Sequence, residues 1–528
     1  MKRLFFFICA LVLLCSPSSF AAIEWDGMSA PWTKGTGTET DPFLIETPQQ
    51  LSYLSEMVGA GISVYRNKYF KQTQDFDMKS LEFTPIGTKY FFSGNYDGNN
   101  KSISNLNILG DNNNDNIALF GGVSRGTISN VIIDGNFTST ISGREYAAGI
   151  VANGWDVILQ NCKNNAKIDV SSEYAAGIMA SCAGICVITN CSNTGEIHSA
   201  NKSHTYSYSG GIVGMVGGMR LSTPVTTVCT LINCSNAGTI YSQYYSGGIV
   251  GCNMGYSAGD SCIVEKCSNI GNISGTCSGG IIGYNYDKRI YKLNCCSNVG
   301  AVQSTGSAGG IIGRGNATFV GNRISNCYAH CIISSTYSSG SVSGIANWCD
   351  TIKNSYFAGI LSGEVIYKYG IANSNSSKRI TNCYFNSDCG AATSSTCGTA
   401  KTTAQLKSAS MPILLNGSAI GTTWVMDTNN SNDGFPIFGW QAAPTYKITA
   451  TCNESQGAVS GSGNYTKCTV VTLTATPQEG YIFSGWGDGD KTNPRSVTVG
   501  TSDVTYTALF VKMRYVITVN QDCSVNVQ

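Results

Sequence analysis

The chain runs to 528 residues, too long for one compact core, and its 33 basic side chains against 32 acidic ones leave a net charge of +1. Charge so nearly balanced argues against the basic stripe that nucleic-acid binding requires. Charged residues make up 12% of the chain while 61 residues are glycine, and Ile, Val, Tyr and Phe recur along the whole length, which argues against disorder and points to an all-β protein.

At the N-terminus, Lys2 and Arg3 precede an apolar run over residues 4–14, and Ser19 and Ala21 place small residues at a cleavage position. This pattern reads as a secretory signal peptide over residues 1–21, cleaved near Ala21. Cys15 invites a lipoprotein reading, but Leu14 stands where a small residue precedes a lipidated cysteine. The run is too short to span a membrane and no second one is long enough, so a secreted or surface-held chain without a transmembrane segment is expected.

Residues 22–113 are expected to cap the first coil of a repeat stack. Thr47 and Pro48 signal a helix start as N-cap and first-turn residue, and Leu51, Leu54 and Val58 fall on one helical face. Ile103, Leu106 and Ile108 read as a strand joining the stack, and the polar run at residues 111–116 reads as a loop without ion-site spacing.

Residues 114–395 repeat. A glycine followed by small apolar residues recurs as Ala148-Gly149-Ile150-Val151, Ala176-Gly177-Ile178-Met179, Gly210-Gly211-Ile212-Val213, Gly247-Gly248-Ile249-Val250, Gly279-Gly280-Ile281-Ile282 and Gly309-Gly310-Ile311-Ile312, with variants at Gly344 and Gly370. A second element is the pair Asn161-Cys162, Asn190-Cys191, Asn233-Cys234, Asn326-Cys327 and Asn382-Cys383. An apolar residue stands three positions before each cysteine (Leu159, Ile188, Leu231) and another six positions after it (Ile168, Ile197, Ile240). Apolar residues three apart cannot share a face of a straight strand, so a bend must fall at the asparagine, which tolerates left-handed backbone. A glycine four positions after the cysteine, such as Gly195 or Gly238, supplies a second corner. Each repeat then offers three short strands, one coil of a parallel β-solenoid, and about nine coils stacked 4.8 Å apart make a rod of about 40 Å. The cysteine column reads as a buried interior ladder rather than a disulfide or metal framework.

These two elements, with Trp25-Asp26-Gly27, Asp41-Pro42-Phe43-Leu44-Ile45 and Phe92-Ser93-Gly94-Asn95-Tyr96-Asp97-Gly98 ahead of them, resemble the GLUG repeat of secreted bacterial proteins over residues 24–440. The resemblance implies a surface or secreted protein of gut Bacteroidetes type with an adhesion-like role. The zinc peptidase activity associated with some GLUG-bearing proteins has no carrier, because no HExxH occurs.

Residues 396–443 read as a C-terminal cap and linker, closed by Phe435-Pro436-Ile437-Phe438-Gly439-Trp440. Residues 444–512 change to alternating strands around Gly485-Trp486-Gly487-Asp488-Gly489-Asp490. This stretch resembles the divergent internalin-B-type B repeat, except that Cys468 stands where that family has glycine. Cys452 is expected on the partner strand, which makes Cys452 and Cys468 the candidate disulfide. Residues 513–528 open another copy that stops at Gln528, as in a truncated or partial chain.

A polysaccharide-cutting β-helix enzyme would need clustered carboxylates on neighbouring coils, and the repeat acids Asp134, Asp169, Glu196, Glu265, Asp350 and Glu364 are sparse and out of register. His198, His204 and His330 form no set, and no motif asks for a cofactor or metal. The expectation is therefore non-catalytic binding of an unidentified host or matrix glycan or protein, or, alternatively, a structural spacer that displays the C-terminal modules. Insertions to the repeat register concentrate at residues 199–209, 215–230 and 252–263. Tyr206, Tyr208, Tyr241, Tyr244, Tyr245 and Tyr256 lie in or beside them as candidate ligand contacts, since tyrosine offers flat amphipathic area. The competing reading is that tyrosine simply favours exposed β surface.

Overall fold

The computed structural model describes residues 21–110, 115–139, 143–200, 206–217, 226–254, 259–286, 290–315, 323–373, 379–392, 397–417, 423–442, 445–467, 469–514, 517–519 and 525–527. The chain divides into two compact units between Met426 and Asp427. The first is a parallel β-solenoid, as the repeat register predicts: every described strand pairing between Ile23–Glu24 and Thr399–Lys401 is parallel.

One coil shows the plan. Ser172–Ala176, Met179–Ala183, Ile185–Thr189, Ser192–Asn193 and Ile197–Ser199 follow one another around the axis. The next coil sets Tyr208, Val213, Leu231, Asn236 and Ile240 directly against Tyr174, Met179, Ile188, Asn193 and Ile197. The coil thus has five short strands where the repeat spacing predicts three. The additional breaks fall at the Gly-Ile pair, Gly177-Ile178, and at Gly184, whose φ of 68° turns the chain between Ala183 and Ile185. The strands that follow the Gly-Ile pair form their own sheet of nine, from Phe120–Ser124 to Ala372–Asn373.

The predicted bend is at the asparagine. Asn161, Asn190 and Asn233 have φ of 55°, 54° and 54°, and Lys266 and Cys295 hold the same left-handed backbone at 52° and 54°. Asparagine is favoured because it tolerates this region and because its amide can bridge coils. Asn161 donates to Asn130 at 2.9 Å, Asn190 to Asn161 at 3.1 Å, and Asn233 to Asn190 at 2.8 Å. The glycine four residues after the cysteine stands at the expected second corner, a bend between two strands, although Gly195, Gly238 and Gly271 are not among the residues of positive φ. A Cβ there would lie 1.9–2.0 Å from the carbonyl oxygen of the coil below, so these positions need glycine for close stacking.

A second, interior asparagine ladder runs two residues after each column cysteine from Cys162 to Cys296, and gives way to Ala329 after Cys327. Asn164, Asn193, Asn236, Asn269 and Asn298 are all buried, and each of the first four donates Nδ2 to the next Oδ1 at 2.7 Å. The other amide proton of Asn193, Asn236, Asn269 and Asn298 goes to the carbonyl two residues on, so the amide groups satisfy one another in an apolar interior. Across the interior from these amides stand the glycines of the Gly-Ile pair. A Cβ on Gly211 would meet Asn236 Cγ at 2.5 Å and Gly248 O at 2.1 Å.

The cysteine column Cys162, Cys191, Cys234, Cys267, Cys296 and Cys327 is buried and holds thiols, not disulfides. Cys234 Sγ donates to Ile188 O at 3.5 Å and Ile232 O at 3.4 Å. A further cysteine column pairs Cys186, Cys229 and Cys262 in register. Burial pushes the thiols of Cys262, Cys331 and Cys383 up to about 12, and those of Cys295 and Cys349 up to about 11, because a thiolate would lose its hydration there.

The N-terminal residues do more than cap. Ile23–Glu24, Phe76–Asp77 and Ser102–Gly110 stack in parallel beneath the repeats, as do Phe43–Ile45, Tyr69–Gln72 and Asn95–Asp97, so the coils begin well before residue 114. Helix α1 (Pro48–Gly59) starts as predicted, with Thr47 accepting from Gln50 N at 3.4 Å and Leu51 and Leu54 fully buried. Trp32, Phe43, Phe70, Phe92 and Phe120 carry aromatic contacts from this end into the first repeat, with centroids 5.1–5.9 Å apart. At the other end, α2 (Thr403–Leu406) carries a capping box from Thr402 to Gln405, and α3 (Ser410–Leu415) buries Met411 and Leu415. Trp424 then packs on Tyr356 at 5.5 Å.

In the second unit, Thr445–Thr451 lies between Gly463–Thr466, antiparallel to it, and Val504–Lys512, parallel to it. Tyr481–Trp486 completes that sheet, and Gly457–Ser460, Val470–Pro477 and Arg495–Thr498 form a second one. Ile448, Leu473, Trp486, Val497 and Phe510 fill the core. Arg495 lies over Tyr506 at 4.8 Å and is bonded to Asp488 at 2.8 and 3.0 Å.

Candidate functional site

Stacking of identical coils turns a tyrosine that recurs at one register position into a column of rings. Tyr146, Tyr174, Tyr208 and Tyr245 hold that position, and Tyr284, which pairs with Cys252 in another strand, extends the column; successive centroids are 4.9, 5.5, 5.3 and 4.5 Å apart with planes within 20° of parallel. The spacing follows that of the coils, and the rings pack offset face to face. Small residues beneath the column, among them Ala148, Ala176, Ala180 and Ala152, are wholly buried and leave room for it.

Of the six tyrosines expected at a binding face, four come together here. Tyr208 is 2% exposed and belongs to the support of the face; its hydroxyl lies 4.0 Å from Met254 Sδ, and burial, with Cys252 beside it, raises its pKa. Tyr245 is half-buried in the same column and is raised for the same reason. Tyr206 is 47% exposed and lies nearly parallel to Tyr245 at 6.0 Å, while Tyr244 meets it edge-on at 5.7 Å. Tyr241 belongs to a different group: it stacks on His198 at 4.7 Å, and His198 Nδ1 lies 3.0 Å from Asp169 Oδ1, with Lys167 Nζ 3.5 Å from the same carboxylate. Tyr256 lies outside the described residues, as do 201–205, 218–225 and 255–258 of the insertions.

Serines tie the face to the interior. Ser207 Oγ and Ser242 Oγ are 2.8 Å apart, and Ser207 Oγ accepts from Tyr244 N at 3.2 Å, which sets the backbone beneath Tyr206 and Tyr244. Exposed rings flank the column, Tyr206 beside Tyr208 and Tyr245, and Tyr286 (47% exposed) edge-on to Tyr284, and present aromatic surface and hydroxyls on a rigid base. Such a surface stacks against the apolar face of a sugar ring or a protein side chain while its hydroxyls take hydrogen bonds. The spacing of the insertions signalled four of these residues. Tyr146, Tyr174 and Tyr284 lie in strands rather than insertions, although the repeat register puts Tyr146, Tyr174 and Tyr208 in one column.

For the candidate disulfide, Cys452 is half-buried and its thiol donates to Gly457 O at 3.3 Å. Cys468 lies outside the described residues. Thr466, two residues before it, is paired with Thr445, at the opposite end of that strand from Cys452. Among the described residues no group of three or more His, Cys, Asp or Glu is placed to hold a metal ion, and no helix is long and apolar enough to cross a membrane. Two clefts lie apart from the tyrosines, in the N-terminal coils: one around Arg66, Lys89 and Arg125, the other around Tyr69, Lys71 and Asp97.

The architecture defines a class: a parallel β-solenoid, with small β-sheets in a C-terminal unit. Residues 446–514 match the family model of the divergent InlB B-repeat domain. No curated protein matches the chain. Among solved structures, the chain is similar to that of a putative immunoglobulin A1 protease from Bacteroides ovatus, at 18% identity and a TM-score of 0.36, over 78% of this chain and 96% of that one.

Proposed function

We propose that the chain is an exported, non-catalytic surface protein whose coils are GLUG-type repeats and whose tyrosine face binds a host or matrix glycan or protein. The observation that carries this reading is the column of five stacked rings flanked by the exposed Tyr206 and Tyr286. A spacer needs length and stiffness, which the asparagine ladders supply, but it does not need a continuous aromatic surface. The acids of the repeats support the absence of catalysis: Asp169 is engaged with His198 and Lys167, and Asp350 with Arg379.

Glycan and matrix-protein arrays probed with the full chain test the proposal, with Tyr206→Ala and Tyr286→Ala as the variants. Binding that falls at least tenfold in the double variant, with an unchanged circular dichroism spectrum, is expected. No array binding by the wild-type chain would favour the spacer. Cleavage of an arrayed polysaccharide would overturn the non-catalytic reading.

A further inference from the structure

The cleft in the N-terminal coils is built from three separate segments. Helix α1 reaches it with Val58, followed by Gly61, Tyr65 and Arg66; residues 89–93 form the opposite wall, and Ser124 and Arg125 close one end. Its volume of about 470 Å³ falls within the ~300–1,000 Å³ of small-ligand pockets.

Its chemistry is one-sided. Arg66, Lys89 and Arg125 line it and no Asp or Glu does, in a chain whose acids and bases are otherwise almost equal in number. Among the described residues Arg66 and Lys89 have no ion-pair partner, and Arg125 reaches only Asp156, at 3.7 Å, with its side chain 79% exposed. Three cations lining one cleft, with Asp156 beside Arg125 as their one acidic partner among the described residues, raise the local potential and favour an anionic ligand.

An aromatic platform sits among them. Tyr90 is 45% exposed, and Lys89 Nζ lies 5.4 Å from its ring centroid. The ring rests against Gly61, whose φ is 72° and where a Cβ would meet Tyr90 at 2.9 Å. Glycine at position 61 therefore admits both the turn and the ring. The backbone around the cations is fixed as well. Asn67 N donates to Ser93 O at 2.8 Å, which ties the Arg66 turn to the opposite wall, and Arg125 N donates to Trp155 O at 2.8 Å.

We propose that this cleft binds an anionic saccharide, with its carboxylate or sulfate groups held by Arg66, Lys89 and Arg125 and a sugar ring laid on Tyr90. The cations come from side chains on three segments, and helix α1 turns its C-terminal end to the cleft. That differs from a phosphate cradle, in which backbone N–H groups at a helix N-terminus converge on one group. Cations supplied by separate segments suit a ligand that carries more than one negative charge, as an acidic saccharide does. The site is separate from the tyrosine face, and the inference does not depend on that proposal.

Titration calorimetry on the full chain tests it with three probes: a hyaluronan octasaccharide for carboxylates, a heparin octasaccharide for sulfates, and cellohexaose as the neutral control. At least one acidic probe is expected to bind, with affinity falling as salt is raised, while cellohexaose does not. Arg66→Ala with Lys89→Ala is expected to weaken binding at least tenfold, and Tyr90→Ala several-fold, whereas Tyr367→Ala, an exposed ring outside both sites, leaves it unchanged. Lys89→Glu, a single exposed change, provides a second variant if the double one unfolds, and abolished binding is expected. The proposal is overturned if neither acidic probe binds, if cellohexaose binds equally, or if folded Lys89→Glu binds like the wild type. Loss of binding in Tyr206→Ala alone would move the saccharide site to the tyrosine face.

Discussion

Replacing Asn236 by alanine tests whether the interior amide ladder holds the coils together. Asn236 accepts from Asn193 Nδ2 at 2.7 Å and donates to Asn269 Oδ1 at 2.7 Å and to Gly238 O at 2.8 Å. Removing its amide orphans Asn269 Oδ1 and the Gly238 carbonyl, both in the interior, and leaves one proton of Asn193 without an acceptor. At about 1–3 kcal/mol for each of these three buried polar groups left unpaired, the expected loss is about 3–9 kcal/mol. Asn298 is the internal control. It ends the ladder with a donation to Cys331 Sγ at 3.2 Å rather than to another amide, so its removal orphans no amide oxygen. Asn298→Ala leaves two such groups, an Asn269 amide proton and the Gly300 carbonyl, and should therefore cost less, about 2–6 kcal/mol by the same reckoning. Urea unfolding gives the difference. Hydrogen exchange locates it, because each coil contacts only its neighbours and lost protection should centre on the coils carrying Asn193 and Asn269. A cost for Asn236→Ala no greater than for Asn298→Ala, or protection lost evenly along the solenoid, would refute the ladder as the source of cohesion.

Gly211→Ala should destabilise by about 2–3 kcal/mol, since its methyl group would overlap Gly248 O and Asn236. Gly59→Ala, in α1 with nothing within 4 Å of the added carbon, should raise the unfolding midpoint slightly, by about 0.5–1 kcal/mol. Thr47→Ala removes the N-cap of α1 and should cost about 1 kcal/mol, read as faster exchange of the amide of Gln50. The buried thiols predict an alkaline limit. An exposed thiol ionises near 9, but Cys262, Cys331 and Cys383 are pushed up to about 12, so the unfolded chain releases these protons first. Their contribution is complete below pH 9 and declines as pH rises toward 12, by about 1.4 kcal/mol per pH unit for each thiol. Urea midpoints should hold from pH 7 to 8.5 and fall steeply above 9, less steeply in Cys262→Ala; a flat profile to pH 10.5 would contradict the burial argument. For Cys452, whose thiol donates to Gly457 O, mass spectrometry of alkylated protein should find a free thiol; a peptide linking Cys452 to Cys468 would overturn that.

What is local, or repeats at fixed register, was legible in the sequence. The left-handed bends at Asn161, Asn190 and Asn233, the core residues Ile188 and Ile197, and the Thr47 cap each depend on a few neighbouring residues or on a column that recurs coil after coil. A parallel solenoid is favourable to such reading, because stacking converts sequence period directly into contact. Other features required the tertiary structure. The asparagine two residues after each column cysteine from Cys162 to Cys296 looks like one more polar turn residue until the coil closes and sets Asn236 against Gly211 across the interior. Tyr208 and Tyr206, two positions apart, read alike, yet Tyr208 opens a strand paired with the coils on either side and is buried, while Tyr206 lies ahead of that strand and is exposed. The coiling of residues 23–110 follows no clear repeat, so its parallel strands appear only when Phe76 is paired with both Ile23 and Ile103. The cluster of Arg66, Lys89 and Arg125 had no signal at all, because side chains so far apart in sequence converge only where successive coils and the end of α1 meet.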